Sequence, residues 1–253
     1  MPADLHQLVH VDVFGAVMTV RLDRPDKRNA LNALMYEAMA DALVLGEADS
    51  RVRVFMFSGS PGAFTAGNDI TEFQDYAASG SIGSSSLRFL KTLATVDKPL
   101  VAAVDGLAIG IGTVMLLHCD FVVASEWSVF HTPFVDQGLS AEGAASLLAP
   151  RLMGQHRAFE LLVMGEHFDA ATALATGLIN RVVPAESVDE AALAAAQALA
   201  QKPPEAVRNA RKLMRGDRRD ILQRIDVEAA GFGELQRTRE ARDAFEAFLK
   251  RRG

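Results

Sequence analysis

The stretch Leu100-Val101-Ala102-Ala103-Val104-Asp105-Gly106-Leu107-Ala108-Ile109-Gly110-Ile111-Gly112 reads as a strand running into a glycine-rich turn. Leu100 to Val104 contains no polar residue, as expected of a strand buried on both faces. Thr113 to Leu117 then reads as a helix, and Asp120 to Ala124 as a further buried strand. Strands alternating with helices point to an α/β fold. A strand, a glycine-rich turn and a helix also aim the free N–H groups of a helix N-terminus at a ligand. The turn is not a phosphate loop, since the Gly-Lys-Ser/Thr ending is absent. Its glycines, Gly106, Gly110 and Gly112, do not fit GxGxxG either.

Toward the N-terminus the pattern repeats. Val52 to Phe57 is a second continuous apolar run, closed by Ser58-Gly59-Ser60-Pro61-Gly62. Phe64-Thr65-Ala66-Gly67-Asn68-Asp69-Ile70 follows, where a small residue and a glycine let the backbone come close to a ligand and present N–H groups. Asp69 has a second reading, as the cap of a short helix. Val9 to Val13 and Val17 to Leu22 read as a hairpin around Phe14-Gly15. The loop Asp23 to Asn32 carries three basic side chains and ends at Asn32, an expected N-cap. The helix after it has an apolar stripe in which Met35 and Met39 read as core. Lys27 and Arg28 are either solvated charges or contacts to an anionic ligand. Ser79 to Ser86 reads as a loop, and Leu87 to Val96 as a helix ending before Asp97-Lys98-Pro99.

Toward the C-terminus, Val129-Phe130 is extended and breaks at Pro133. Ser140-Ala141-Glu142 then opens a helical run from Ala144 to Leu152. Ser140 is its expected N-cap, and Glu142 falls in its first turn, where the helix dipole favours a carboxylate. Glu142 therefore either offsets that dipole or does chemistry. His131 reads as packed, Asp136 and Gln137 as loop, and His118 and Cys119 as core. Gln155 to Met164 and Asp169 to Ala175 read as helices, Leu178 to Val183 as a strand, and Ser187 to Gln201 as a helix. Pro203-Pro204 marks a boundary. Beyond it the chain reads as helices broken near Gly216-Asp217 and again around Gly231 to Gly233. Residues 1–200 are thus expected to form the core and 201–253 a helical C-terminal region.

The chain has 253 residues, a net charge of −6 and one cysteine. That length suits one large domain or a domain with an appendage. The acidic balance and the lack of a basic tract argue against nucleic acid as a partner. Cys119 alone permits no internal disulfide and no cysteine cluster for zinc. The first residues lack the apolar core of a signal peptide, and no apolar run is long enough to cross a bilayer. A cytoplasmic protein without a membrane partner is expected.

Five segments resemble the crotonase (enoyl-CoA hydratase/isomerase) superfamily in order and spacing. They are Asn29-Ala30-Leu31-Asn32, Phe64 to Asp69, Lys98 to Gly112 with Cys119-Asp120, Thr172 to Ile179, and Arg239 to Arg251. The resemblance covers nearly the whole chain. It implies a spiral of ββα units with a helical trimerisation region, assembling as a homotrimer or hexamer. It implies an acyl-CoA thioester as substrate, and no cofactor beyond that coenzyme A. The oxyanion-hole N–H groups would come from Asn68 and Ile111. Ala30, Ala66, Asp69, Ile70, Gly110 and Phe134 would contact substrate, and Lys27, Arg28 and Lys250 the coenzyme A phosphates. Ile111 stands where most members have glycine, which a backbone donor tolerates.

Where hydratases of this family carry two glutamates, this chain has Val114 and Phe134. Neither side chain can ionise or hold a water for addition. Instead His131-Thr132-Pro133-Phe134 and Ser140-Ala141-Glu142-Gly143 resemble the peroxisomal-type Δ3,Δ2-enoyl-CoA isomerases, with Ala141 in place of that branch's proline. In that branch one glutamate is the acid/base, and it maps onto Glu142. An end reading Arg251-Arg252-Gly253 carries no Ser-Lys-Leu peroxisomal address. Two other functions are compatible with these residues: a different crotonase reaction such as hydration, and a non-catalytic acyl-CoA- or RNA-binding role.

Overall fold

The computed structural model describes residues 8–69 and 83–250, with side chains described to residue 247. The first hairpin is β1 (Val9–Phe14) and β2 (Val17–Leu22), paired antiparallel. The chain then passes through α1 (Ala33–Ala48), β3 (Val54–Ser58), β4 (Ala63–Thr65) and α2 (Ser84–Thr95). It continues through β5 (Leu100–Val104), β6 (Leu107–Ile109) and α3 (Ile111–Leu117), then β7 (Phe121–Ser125), β8 (Val129–His131) and α4 (Ala145–Leu162). These are three successive ββα units. Each gives its first strand to a six-stranded sheet ordered β1-β2-β3-β5-β7-β10 and its second to a four-stranded sheet ordered β4-β6-β8-β9. Here β9 is Phe168–Asp169 and β10 is Arg181–Val183, on either side of α5 (Ala170–Ala175). Strands β2, β3, β5, β7 and β10 run parallel, as do β4, β6 and β8. This is the spiral that the resemblance implies.

Side-chain alternation sorts the large sheet into two cores. Val54 and Met56 of β3, Val101 and Ala103 of β5 and Val123 of β7 pack with Val188, Ala192 and Ala196 of α6 (Val188–Ala200). Phe55, Phe57, Leu100, Ala102 and Val104 point the other way, into a larger core with Met35, Met39 and Leu43 of α1 and Phe89 and Leu90 of α2. Met35 and Met39 are fully buried core, as expected. The Asn32 side chain accepts the Met35 N–H at 3.0 Å and caps α1.

The C-terminal helices α7 (Pro204–Arg215), α8 (Arg218–Gln236) and α9 (Arg239–Lys250) lie against this body. Arg211 Nε donates to Asp120 at 2.7 Å, and Arg218 Nη1 to the Thr95 carbonyl at 2.8 Å.

Four local expectations are corrected. Helix α2 begins at Ser84, so Ser84 to Ser86 form its first turn; the loop expected there otherwise lies outside the described residues. The expected break at Gly231 to Gly233 is absent, and α8 runs unbroken to Gln236. Glycine inside a helix costs only about 1 kcal/mol relative to alanine, and α8 buries Phe232 and Gln236 there. Leu107–Ile109 is a strand inside what reads as a turn. Finally, Ser140 does not cap α4 and Glu142 is not helical. Gly143 (φ 68°) and Ala144 (φ 64°) are left-handed, so the helix starts at Ala145.

Candidate active site

A cavity of about 290 Å³ opens where the small sheet meets the N-terminus of α3. Arg28, Ala66, Gly67, Asn68, Gly110, Ile111 and Phe134 line it, together with Leu107, Ile109, His131, Pro133 and Gln137. Phe232 of α8 and Phe245 of α9 close it from the C-terminal region. Of the residues anticipated for substrate, it therefore gathers Arg28, Ala66, Asn68, Gly110, Ile111 and Phe134.

One wall is built from backbone. Asn68 forms an isolated parallel bridge with Leu31. The Leu31 N–H donates to Gly67 O and the Asp69 N–H to Leu31 O, each at 2.8 Å. In a strand, N–H groups of successive residues point to opposite edges, so the Asn68 N–H is directed away from Leu31. A Cβ at Gly67 would lie 3.0 Å from Ile109 O, so β6 runs close beside this segment. The Gly110 N–H donates to His131 O at 2.7 Å, and Ile111 follows as the first residue of α3. Its N–H is one of the helix's unpaired N-terminal donors. Its side chain is buried in the core.

The Asn29 side chain holds this wall to the basic loop. Its oxygen accepts the Arg24 N–H at 2.7 Å, and its amide donates to Ala63 O at 2.8 Å. Arg24 Nη1 reaches Ala30 O at 2.9 Å and Asp69 Oδ2 at 2.6 Å. The buried Asp69 thus sits in an ion pair rather than on the cavity, and Ala30 is tied by its carbonyl. Lys27 is exposed on a short 3-10 turn and does not line the cavity. Ile70 and the Lys250 side chain lie outside the described residues.

The carboxyl anticipated as the base is not among the residues that line the cavity. Glu142 is 1 % exposed and lies behind Asn68, whose amide donates to Glu142 Oε1 at 3.4 Å. The Tyr36 hydroxyl donates in turn to Asn68 Oδ1. Burial raises the Glu142 carboxyl from 4.5 to about 7, and the nearby Glu228 carboxylate adds to the shift against the Asn68 hydrogen bond. Val114 and Phe134 are both buried, and neither side chain can ionise. Among the described residues no acidic side chain lines the cavity, and no group of three or more His, Cys, Asp or Glu is placed to hold a metal ion.

Three site residues were not legible beforehand. Phe232 and Phe245 lie more than a hundred residues from Asn68, and a single phenylalanine on a helix carries no address. Glu228 lies in a helix with ordinary charge spacing. His131 does line the cavity, its ring stacked on His167 with centroids 3.9 Å apart, and burial lowers its pKa.

Residues 13–253 match the family model described as enoyl-CoA hydratase/isomerase. The chain is 33% identical over 221 residues to enoyl-CoA delta isomerase 2 of Rattus norvegicus, covering 85% of the chain and 56% of that protein. It thus spans about half the length of that relative. It is 29% identical over 237 residues to the 2,3-dehydroadipyl-CoA hydratase of Escherichia coli (strain K12), covering 93% of each. Among solved structures, Pseudomonas aeruginosa OdaA superposes with a TM-score of 0.91 at 38% identity, covering 96% of this chain and 99% of that one.

Proposed function

Since the chain belongs to the enoyl-CoA hydratase/isomerase family, and so is an enzyme of acyl-CoA metabolism, we propose that it isomerises 3-enoyl-CoA to trans-2-enoyl-CoA with Glu142 as its single acid/base. The observation that carries this reading is the buried Glu142 carboxyl, raised to about 7 and hydrogen-bonded to Asn68, with apolar Val114 and Phe134 in place of further carboxylates. A general base works best when its pKa lies near the working pH.

The thioester oxygen accepts hydrogen bonds from the Asn68 and Ile111 N–H groups. Glu142 takes a proton from C2, and the electron pair passes into a dienolate whose charge rests on that oxygen. Donors preorganised for the developing charge lower the barrier; losing one costs about 3 kcal/mol. Glu142 then returns the same proton at C4, and the double bond moves from C3–C4 to C2–C3. Nothing is oxidised or reduced, so the step requires no redox cofactor. Arg28, exposed at the cavity mouth, is the basic candidate for the coenzyme A phosphates. With this goes a homotrimer or hexamer built through the C-terminal helices, where Leu213, Met214 and Val227 are exposed.

The test is to follow the enoyl-thioester absorbance of the purified protein with trans-3-hexenoyl-CoA, beside crotonyl-CoA hydration and a Glu142→Gln control. Conjugation of the 3-enoyl substrate that is lost in Glu142→Gln supports the isomerase. Hydration without isomerisation favours the second reading, a hydratase, which the likeness to the 2,3-dehydroadipyl-CoA hydratase recommends.

A further inference from the structure

The peptide group joining Gly143 to Ala144 is gripped at both ends by buried side chains from distant helices. Its carbonyl accepts a hydrogen bond from His118 Nε2, at the end of α3, at 2.7 Å. Its N–H donates to Glu228 Oε2, in α8, at 2.5 Å. The other Glu228 oxygen accepts from the Ser146 N–H at 3.0 Å and the Ser146 hydroxyl at 2.6 Å. Arg224 also donates to that hydroxyl, at 2.9 Å. Glu228 therefore does for α4 what an N-cap side chain ordinarily does, but from another helix.

The gripped peptide is a costly one to hold. Ala144 is left-handed, which an alanine rarely adopts without outside support. Gly143 is left-handed as well, and a Cβ there would meet Val114 Cγ1 at 2.6 Å and Leu90 Cδ2 at 2.9 Å. Glu142 is the residue immediately before this peptide. With its backbone held this way, its side chain is delivered to Asn68.

We propose that His118 and Glu228 are positioning residues, which clamp the Gly143–Ala144 peptide and so set where Glu142 presents its carboxyl. The proposal rests on the reading of Glu142 as the acid/base. Its two halves behave differently with pH. Burial lowers the His118 pKa to about 4, so the ring stays neutral over the working range and donates from Nε2 to a carbonyl that can only accept. Burial raises the pKa of Glu228 as well, and its carboxylate, where ionised, disfavours ionisation of Glu142. The groups facing these residues are Asn68 and Glu228 about Glu142, Arg224 and Ser146 about Glu228, and Arg211, Arg215 and Asp120 about His118.

The experiment compares kcat, KM and the pH dependence of kcat/KM for trans-3-hexenoyl-CoA in His118→Leu, His118→Gln, Glu228→Gln and Glu142→Gln, with melting temperatures alongside. His118→Leu is expected to lower kcat at least tenfold with KM within twofold. His118→Gln, which keeps a donor for the Gly143 carbonyl, restores kcat to within threefold. Glu228→Gln removes the charge beside Glu142, so the limb at which Glu142 ionises moves to lower pH, and kcat falls about tenfold. If His118→Leu does not fold, Glu228→Gln carries the test. Unchanged kcat and an unmoved limb, with only a lower melting temperature, overturn the clamp while Glu142→Gln, being inactive, leaves the base assignment standing. Turnover surviving in Glu142→Gln removes the base assignment and the clamp with it.

Discussion

Asn68 and Ile111 line the cavity on backbone set by a parallel bridge and by the start of a helix, whereas Glu142 lies buried behind Asn68 on a segment with no regular structure of its own. On the cavity wall, the Asn68 N–H takes its direction from the bridge to Leu31, and the Ile111 N–H from the start of α3. Neighbouring chain segments supply nearly all of that order. Behind that wall, Asn68, His118 and Glu228 come from three separate parts of the chain to hold Glu142 and the peptide after it. A donor wall of backbone tolerates side-chain change, as Ile111 illustrates. A base on an irregular segment depends on every side chain that braces it.

The largest expected effect falls on the buried carboxyl. Glu142→Gln should lower kcat about 10³- to 10⁴-fold, the upper part of what a positioned acid/base supplies, with little change in KM; steady-state kinetics on trans-3-hexenoyl-CoA would show it. In the unsubstituted enzyme kcat/KM should rise with pH through about 7 and level off above, because the carboxylate is the reactive form.

The same residue sharpens the comparison through stability. Folding raises the Glu142 pKa from 4.5 to about 7, so the folded state holds this proton more tightly than the unfolded chain. The resulting stabilisation is fully present below pH 4.5 and is lost as pH rises through about 7. At pH 8 Glu142→Gln should therefore be more stable than the parent, by up to roughly 3 kcal/mol, as read from denaturant midpoints. Equal stability at pH 8 would mean the buried carboxyl carries no such strain.

Lys98 provides a control away from the cavity. Its buried ammonium donates to the carbonyls of Gly46, Glu47 and Asp49 at 2.6, 2.9 and 2.8 Å, closing the C-terminus of α1. Lys98→Met should cost about 2 kcal/mol of stability and leave kcat unchanged. A fall in kcat would show that the end of α1 communicates with the site.

The smallest expected loss of stability probes the backbone wall. Gly67 has φ 90°, and an added Cβ would press on Ile109 O at 3.0 Å. Gly67→Ala should shift Asn68 slightly and lower kcat about tenfold, with about 1 kcal/mol of stability lost. Activity equal to the parent would mean that the Asn68 donor is not held through Gly67.

Much of the fold was legible because long apolar runs announce themselves. Val52 to Phe57 and Leu100 to Val104 read as buried strands, and they lie side by side as β3 and β5. Of the small sheet only the extended Val129-Phe130 of β8 was legible; β4, β6 and β9 are only two or three residues each, too short for a period of two to show. The site was half legible. Asn68, Gly110, Ile111 and Phe134 stood in recognisable segments and do meet at one cavity. Lys27 and Asp69 stood in equally recognisable segments, yet one is solvated and the other paired with Arg24.

By itself the sequence determined the long buried strands and most of the helices, that Glu142 would be the carboxyl in its segment, and that Val114 and Phe134 could not ionise. These follow from residue chemistry and local periodicity, which need no knowledge of distant neighbours. Only the tertiary structure decided that Glu142 precedes α4 rather than lying in it, because Ser140 reads as a local cap while the real cap, Glu228, arrives from a helix more than eighty residues away. It also decided the carboxyl's acidity, because desolvation and a like charge nearby are properties of packing that a one-dimensional pattern does not contain.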